Sequence, residues 1–183
     1  EFYILSAEEK IRVMEIFVDE VKGRVPVYAG TGCISTEETV ALSRKAQELG
    51  ADALLQVTPY YNKASQDGLV RHFTQVADHV SIPILLYNVP SRTGVTIQPE
   101  TYKILSEHPN IRGTKEASGS LSLIAKTAAL CGEGFDIYSG NDDQTVPIMS
   151  LGGKGVVSVL ANIMPRETHQ MCRLYLDGDV KES

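Results

Sequence analysis

The 183-residue chain is 43% hydrophobic and 22% charged, with 15 Gly, 8 Pro and no Trp, the profile of an ordinary globular domain rather than a disordered, collagenous or membrane-spanning one. A chain of this length forms one domain and buries roughly 70% of the surface its unfolded form exposes, so it needs no disulfide or metal staple. Its 17 Lys and Arg against 23 Asp and Glu give a net charge of −6, which speaks against nucleic acid, whose phosphates call for a basic face. No apolar run approaches the ~18 residues of a membrane span. Cys33, Cys131 and Cys172 are too scattered for a C-x-x-C pair or a disulfide framework, in keeping with a reducing cytoplasm.

The chain opens at Glu1-Phe2-Tyr3 with no initiator Met and no basic segment leading into an apolar one. It reads as an internal piece of a longer protein, with no signal peptide in view. Ser6-Ala7-Glu8-Glu9 is a capping box that predicts a helix with Ile11, Met14, Val18 and Val21 on one face. Residues 25–28 follow as a strand. Ser35-Thr36-Glu37-Glu38 is a second box, leading to Leu42, Ala46 and Leu49 with Gly50 as the stop. Residues 53–57 are the next strand, and Leu69, Phe73, Val76 and Val80 form the next helical stripe. A strand at 82–87 precedes a helix that Pro99 opens, and a strand at 111–114 precedes one that Ser120 caps. Strand 135–138, helix 143–151, strand 155–159 and helix 166–176 complete the series.

Short β-rich runs alternating with helices about every 20 to 30 residues predict an α/β fold with a parallel sheet. A dinucleotide-binding fold calls for G-x-G-x-x-G after its first strand. Gly30-Thr31-Gly32 supplies two glycines and Ser35 stands where the third belongs. A (β/α)8 barrel needs eight strands and about 250 residues. Six strand candidates in 183 residues therefore predict a truncated barrel, with strands three to eight present. Residues 1–183 would form one partial catalytic domain that lacks the first two strands and a C-terminal helical region.

Barrel chemistry sits where strands end. Those positions hold Gly30-Thr31-Gly32, Thr58-Pro59-Tyr60-Tyr61, Tyr87-Asn88, Lys115-Glu116, Ser139-Gly140-Asn141 and Ser158. None of His72, His79, His108 and His169 falls among them, which argues against a histidine triad or a histidine-bound metal. Lys115 is either a lysine reaching solvent from a strand end or an amine of lowered pKa that attacks a carbonyl to form a Schiff base. Tyr87, one strand earlier, is either a rim aromatic or a proton relay. Tyr60 and Tyr61 suit packing as well as catalysis. Arg92 either pairs with a surface acid or clamps a carboxylate with its planar fork. Gly152-Gly153-Lys154-Gly155 lacks the full phosphate-loop pattern and reads as a helix-to-strand turn at the opposite rim, with a phosphate site as the rival.

Five segments in order carry a resemblance. They are Ala29-Gly30-Thr31-Gly32, Val57-Thr58-Pro59-Tyr60-Tyr61-Asn62, the run from Leu86-Tyr87-Asn88 to Ser91-Arg92-Thr93-Gly94, Gly113-Thr114-Lys115-Glu116-Ala117-Ser118-Gly119, and Gly155-Val156-Val157-Ser158-Val159. The chain resembles the dihydrodipicolinate synthase family of pyruvate-dependent, class I aldolase-like lyases. The resemblance implies that Lys115 forms an imine with pyruvate, that Tyr87 passes protons, and that Tyr61 is a second relay tyrosine reaching a neighbouring subunit's site. It further implies that Arg92 receives the carboxylate of aspartate semialdehyde and that Val157 packs against pyruvate. The expected product is 4-hydroxy-tetrahydrodipicolinate, for lysine and diaminopimelate synthesis. The expected assembly is a cytoplasmic homotetramer that uses neither metal nor organic cofactor.

Two departures from the family follow from the same resemblance. The family carries a Gly-Thr-Thr-Gly segment directly before the position of Glu1, and its threonines complete the relay, so the 183-residue chain is expected to turn over below the family's rate. In lysine-inhibited members an asparagine stands where this chain has Ile34 and a histidine where it has Lys10, while Glu38 and Tyr60 keep the family's types. An aliphatic side chain cannot replace an amide's hydrogen bonds, so weak lysine inhibition is expected. A neuraminate or keto-deoxy-sugar lyase shares the lysine and tyrosine, and Arg92 favours the dicarboxylate-forming reaction over it. A non-catalytic barrel fragment is the alternative from another class.

Overall fold

The computed structural model describes residues 2–183. Glu1, the point from which the absent Gly-Thr-Thr-Gly segment is counted, lies outside them. Helix α1 (Ala7–Val21) starts where expected: the Ser6 hydroxyl accepts the Glu9 amide at 3.2 Å and the Glu9 carboxylate accepts the Ser6 amide at 2.8 Å, satisfying two of the helix's orphan donors. Strand β1 (Tyr28–Gly30) begins three residues later than its apolar run. Pro26 has no amide to give, and the Val27 amide is taken by the Asp52 carboxylate at 2.7 Å. At α2 (Thr36–Glu48) the Ser35 hydroxyl accepts the Glu38 amide and donates to Glu37, so the carboxylate that the cap engages is one residue earlier than the box pattern implies.

Strand β2 (Ala53–Val57), helix α3 (Gln66–Ala77) and strand β3 (Ile84–Asn88) follow. A short helix α4 (Pro90–Thr93), which the apolar pattern does not announce, is opened by Pro90 and closed by Gly94 at φ 69°. Helix α5 (Pro99–Leu105), strand β4 (Ile111–Glu116) and helix α6 (Leu121–Cys131) come next, α6 capped by Ser120 as expected. After β5 (Asp136–Ser139) the single helix expected at 143–151 divides into a 3-10 turn at Asp142–Gln144 and α7 (Thr145–Ser150). Strand β6 (Gly155–Val156) is shorter than its apolar run, because the amides of Val159 and Leu160 turn away to the Asp142 carboxylate. Helix α8 (Pro165–Leu176) ends the series. Gly152-Gly153 is the tight α7–β6 turn: Gly153 donates to Ile148 O at 3.0 Å, and a Cβ there would approach Ile148 Cγ2 to 2.8 Å.

The six strands pair in sequence order, all parallel. A doubly wound sheet reverses its strand order at a switch point; this sheet never does, so every crossover returns on the same side and the strands form an arc of a (β/α)8 barrel. Side chains alternate along each strand. Those facing the helices, among them Leu54, Ile84, Leu86 and Ile137, are buried against Phe73, Val76, Ile124 and Ile148. On the concave side Ala53, Val57 and Leu85 are buried, whereas Leu55, Tyr87, Lys115 and Tyr138 are only half-buried. The core is therefore the layer between sheet and helices. Leu86→Ala should cost about 2–5 kcal/mol of unfolding free energy by leaving a cavity there, and Leu55→Ala clearly less; urea denaturation checks the contrast, and equal costs would mean that the concave face is also a packed core.

Candidate active site

Register places the reacting candidates. Tyr87 of β3 pairs with Lys115 of β4, and Lys115 with Tyr138 of β5. All three point to the concave side near the carboxyl ends of their strands. The Lys115 Nζ lies 4.3 Å from the centroid of the Tyr87 ring, a separation at which the ring's negative face attracts a cation. Burial lowers the Lys115 amine from its ordinary value, and the negative charge of Asp142 works in the opposite direction. Burial raises the Tyr87 phenol, and the charge of Arg92, presented by α4 just after β3, works against that rise. Both shifts run toward a neutral amine beside a protonated phenol, the direction that a carbonyl addition with proton relay calls for.

Gly140 makes room for the lysine stem. A Cβ at that position would stand 3.1 Å from Lys115 Cε and 2.8 Å from Ala117 Cβ. Two residues on, Asp142 is anchored by the loop after β6: one carboxylate oxygen accepts the Ser158 hydroxyl, the other the amides of Val159 and Leu160 at 3.2 and 3.1 Å. Slight burial opposes ionisation, but the Ser158 hydroxyl and the two amides hold the carboxyl below its usual value. Gly140 stands among the strand-end positions read from the sequence, whereas Asp142 does not. An acid three residues beyond the end of β5 was the available signal for Asp142.

Val157 donates its amide to Ser139 O at 2.8 Å and lines a hollow of about 290 Å3 with Tyr28, Leu55, Leu85 and Tyr138. Leu85 lies two residues before Tyr87 on the same face, so the hollow sits one layer below the pair. Tyr61 stands apart on the loop after β2, 87% exposed and at φ 76°. The polar rim read from sequence divides in two, because alternate residues face the helices. Thr31 accepts the hydroxyl of Ser43 at 2.9 Å behind the sheet, and Asn88, Glu116 and Ser139 are fully buried there.

His72 is buried in α3 with Nδ1 2.8 Å from Thr36 Oγ1, and burial holds it neutral at about 4. Among the described residues no three His, Cys, Asp or Glu side chains gather as metal ligands would, and no helix is long and apolar enough to cross a membrane. Between α1 and α2, Lys10, Cys33, Glu38 and Lys45 line a cleft of about 380 Å3, with the Lys10 ammonium 4.8 Å from the Phe2 ring. Ile34 is half-exposed beside Cys33 in sequence.

Residues 1–183 match the dihydrodipicolinate synthetase family. The chain belongs to that family. A 4-hydroxy-tetrahydrodipicolinate synthase of Caldicellulosiruptor saccharolyticus is 57% identical over 176 residues, which are 96% of this chain and 59% of that protein. The structure superposes on dihydrodipicolinate synthase from Aquifex aeolicus with a TM-score of 0.95 at 46% identity, covering 97% of this chain and 61% of that one. It superposes on the chloride-inhibited enzyme of Acinetobacter baumannii, a complex with pyruvate, with a TM-score of 0.96 at 40% identity, covering 100% and 62%. The chain thus spans about three fifths of the length of these relatives, and the family's barrel accounts for the sequential strand order. Asp142→Asn keeps one acceptor oxygen for the loop while removing the charge that holds the Lys115 amine up. Its Lys115 should titrate at lower pH, with the free-amine fraction at fixed pH rising about threefold. A 13Cε NMR titration reads this directly, and an unmoved Lys115 curve would mean that the Asp142 charge does not reach the amine.

Proposed function

We propose that the chain carries the reacting centre of a Schiff-base lyase that condenses pyruvate with L-aspartate 4-semialdehyde to 4-hydroxy-tetrahydrodipicolinate, in lysine and diaminopimelate synthesis. The observation that carries this reading is the Lys115 amine stacked 4.3 Å over Tyr87 at the carboxyl ends of paired strands. The names of the relatives and the pyruvate bound by the Acinetobacter baumannii enzyme support the choice of substrates.

The neutral Lys115 amine adds to the ketone carbon of pyruvate, and two proton transfers through the Tyr87 phenol release the ketone oxygen as water. The protonated imine then draws electrons from the methyl group, which loses a proton and becomes an enamine. Its terminal carbon bonds to the aldehyde carbon of the semialdehyde, whose oxygen takes a proton. The semialdehyde's own amine attacks the imine carbon, closes the ring and returns Lys115 as a free amine. One water is released in all, and no electrons enter or leave.

The Arg92 guanidinium suits the semialdehyde carboxylate as a bidentate partner, and Val157 suits packing against the keto acid. This sequence of steps is served by an amine, a proton shuttle and a carboxylate anchor, with no metal or organic cofactor assigned. The exposure of Tyr61 fits a side chain that acts in a neighbouring subunit's site within a cytoplasmic homotetramer.

Borohydride reduction in the presence of pyruvate should add one carboxyethyl group to the peptide containing Lys115, and Lys115→Ala should abolish it; modification of a different lysine would remove this reading. Ile34, next in sequence to the cleft residue Cys33, cannot supply the amide that the resemblance to lysine-inhibited members implies at its position, so feedback by lysine should be weak. A lysine titration of the full-length enzyme's activity checks this, and inhibition at submillimolar lysine refutes it.

A further inference from the structure

Lower down, β3 and β4 are out of step: Ile84 pairs with Ile111 but Leu85 with Gly113, so Arg112 is an extra residue on β4. Above that bulge the register is Leu86 with Thr114, Tyr87 with Lys115, and Asn88 with Glu116. A slip of one residue would turn Lys115 to the helix side. The neighbours of the reacting pair all face the helices, and hydrogen bonds join them into a ring that the β3 backbone closes. The Thr114 hydroxyl lies 3.2 Å from Leu86 O and 3.0 Å from the Tyr102 hydroxyl. Tyr102 donates to Glu116 Oε1 at 3.2 Å, and Asn88 Nδ2 donates to the same oxygen at 2.5 Å.

Two hydroxyl protons serve the three hydroxyl contacts. With Glu116 ionised they run from Thr114 to Tyr102 to Glu116, and Leu86 O is the alternative acceptor for Thr114. The ring has two extensions. Asn88 Oδ1 accepts the Ile97 amide at 3.1 Å, and Ser118 donates to Glu116 Oε2 at 2.8 Å. The first ties in the segment that follows Arg92 and α4. Asn88, Tyr102, Thr114 and Glu116 are fully buried. A carboxyl in such a place is costly: burial pushes Glu116 up to about 7, against the pull of the Ser118, Asn88 and Tyr102 donors.

We propose that Tyr102 and Glu116 are positioning residues that, from the helix side of the sheet, fix the register and separation of Tyr87 and Lys115. Neither touches the concave face. Their effect passes through Thr114 and Asn88, the residues on either side of the pair. The inference rests on the reading of Lys115 as a partly buried amine beside Tyr87, but its test needs no pyruvate. A failed borohydride trap would count against the Schiff base alone.

The test is competitive acetylation of the 183-residue chain with limiting acetic anhydride, mapped by mass spectrometry, with the exposed Lys126 as internal standard. In Tyr102→Phe and Thr114→Val the lysine should escape toward water. Its labelling at about pH 8 should fall roughly threefold or more relative to Lys126, with the profile moving to higher pH. Thr114→Ser, which restores the hydroxyl, should recover the original profile. Ile124→Val, buried in the same core without a polar group, should lower the melting temperature and leave the profile where it was. The proposal is overturned if Tyr102→Phe and Thr114→Val lower stability as Ile124→Val does and leave Lys115 labelling unchanged. Should Tyr102→Phe not fold, Thr114→Val alone is read in the same way, with the same two outcomes.

Discussion

The pairing of β3 with β4 is the constraint on which the rest depends. Parallel strands hold their partners at a fixed spacing, and the two-residue period decides which face each side chain meets. With Tyr87 opposite Lys115, an amine and an aromatic hydroxyl share one small region that neither would reach from a loop. Everything else in the site is arranged around that pair. Gly140 leaves space for the lysine stem, α4 delivers Arg92 directly after β3, and the loop after β6 brings Ser158 and two amides to Asp142.

The two faces of the sheet have exchanged the roles that polarity alone would give them. The helix side, which is the core, contains Gln56, Asn88, Thr114, Glu116 and Ser139 at complete burial. The concave side, which is half-open, carries Tyr28, Leu55, Leu85 and Tyr138 around a hollow. A buried polar group is tolerable only when its partners are present. Most here are paired. Gln56 Nε2 donates to Ser43 at 3.0 Å, and Glu116 accepts three donors. The apolar concave layer beneath Lys115 supplies the low polarity that favours a neutral amine.

Much of this was legible in the sequence for identifiable reasons. Capping serines, a proline at a first helical turn and apolar stripes at helical spacing act locally, and Ser6, Ser35, Pro99 and Ser120 each opened the helix they announced. Strand ends were less legible because hydrogen bonds from distant residues decide them. Asp52 shortens the start of β1, and Asp142 draws the chain away at the end of β6. Lys115, Tyr87 and Arg92 could be singled out by type and place. The partners of Asp142 and Glu116 could not be, because the first meets a loop sixteen residues later, where Ser158 stands, and the second meets Asn88 and Tyr102 on other elements. The rim also looked continuous in sequence, whereas alternation sends half of it behind the sheet.

Chemical competence at Lys115 comes from a balance rather than from one group. Burial favours the neutral amine that the proposed addition would need, and the Asp142 charge favours the cation. Too much burial would make that cation costly, and too much negative charge would keep the lysine protonated and inert. The Tyr87 ring serves both states, since its face accepts an ammonium and its hydroxyl can carry the proton that the change of state releases. Burial is the larger of the two opposing influences on the amine. It follows that covering or uncovering the concave face would retune the amine more strongly than removing the Asp142 charge.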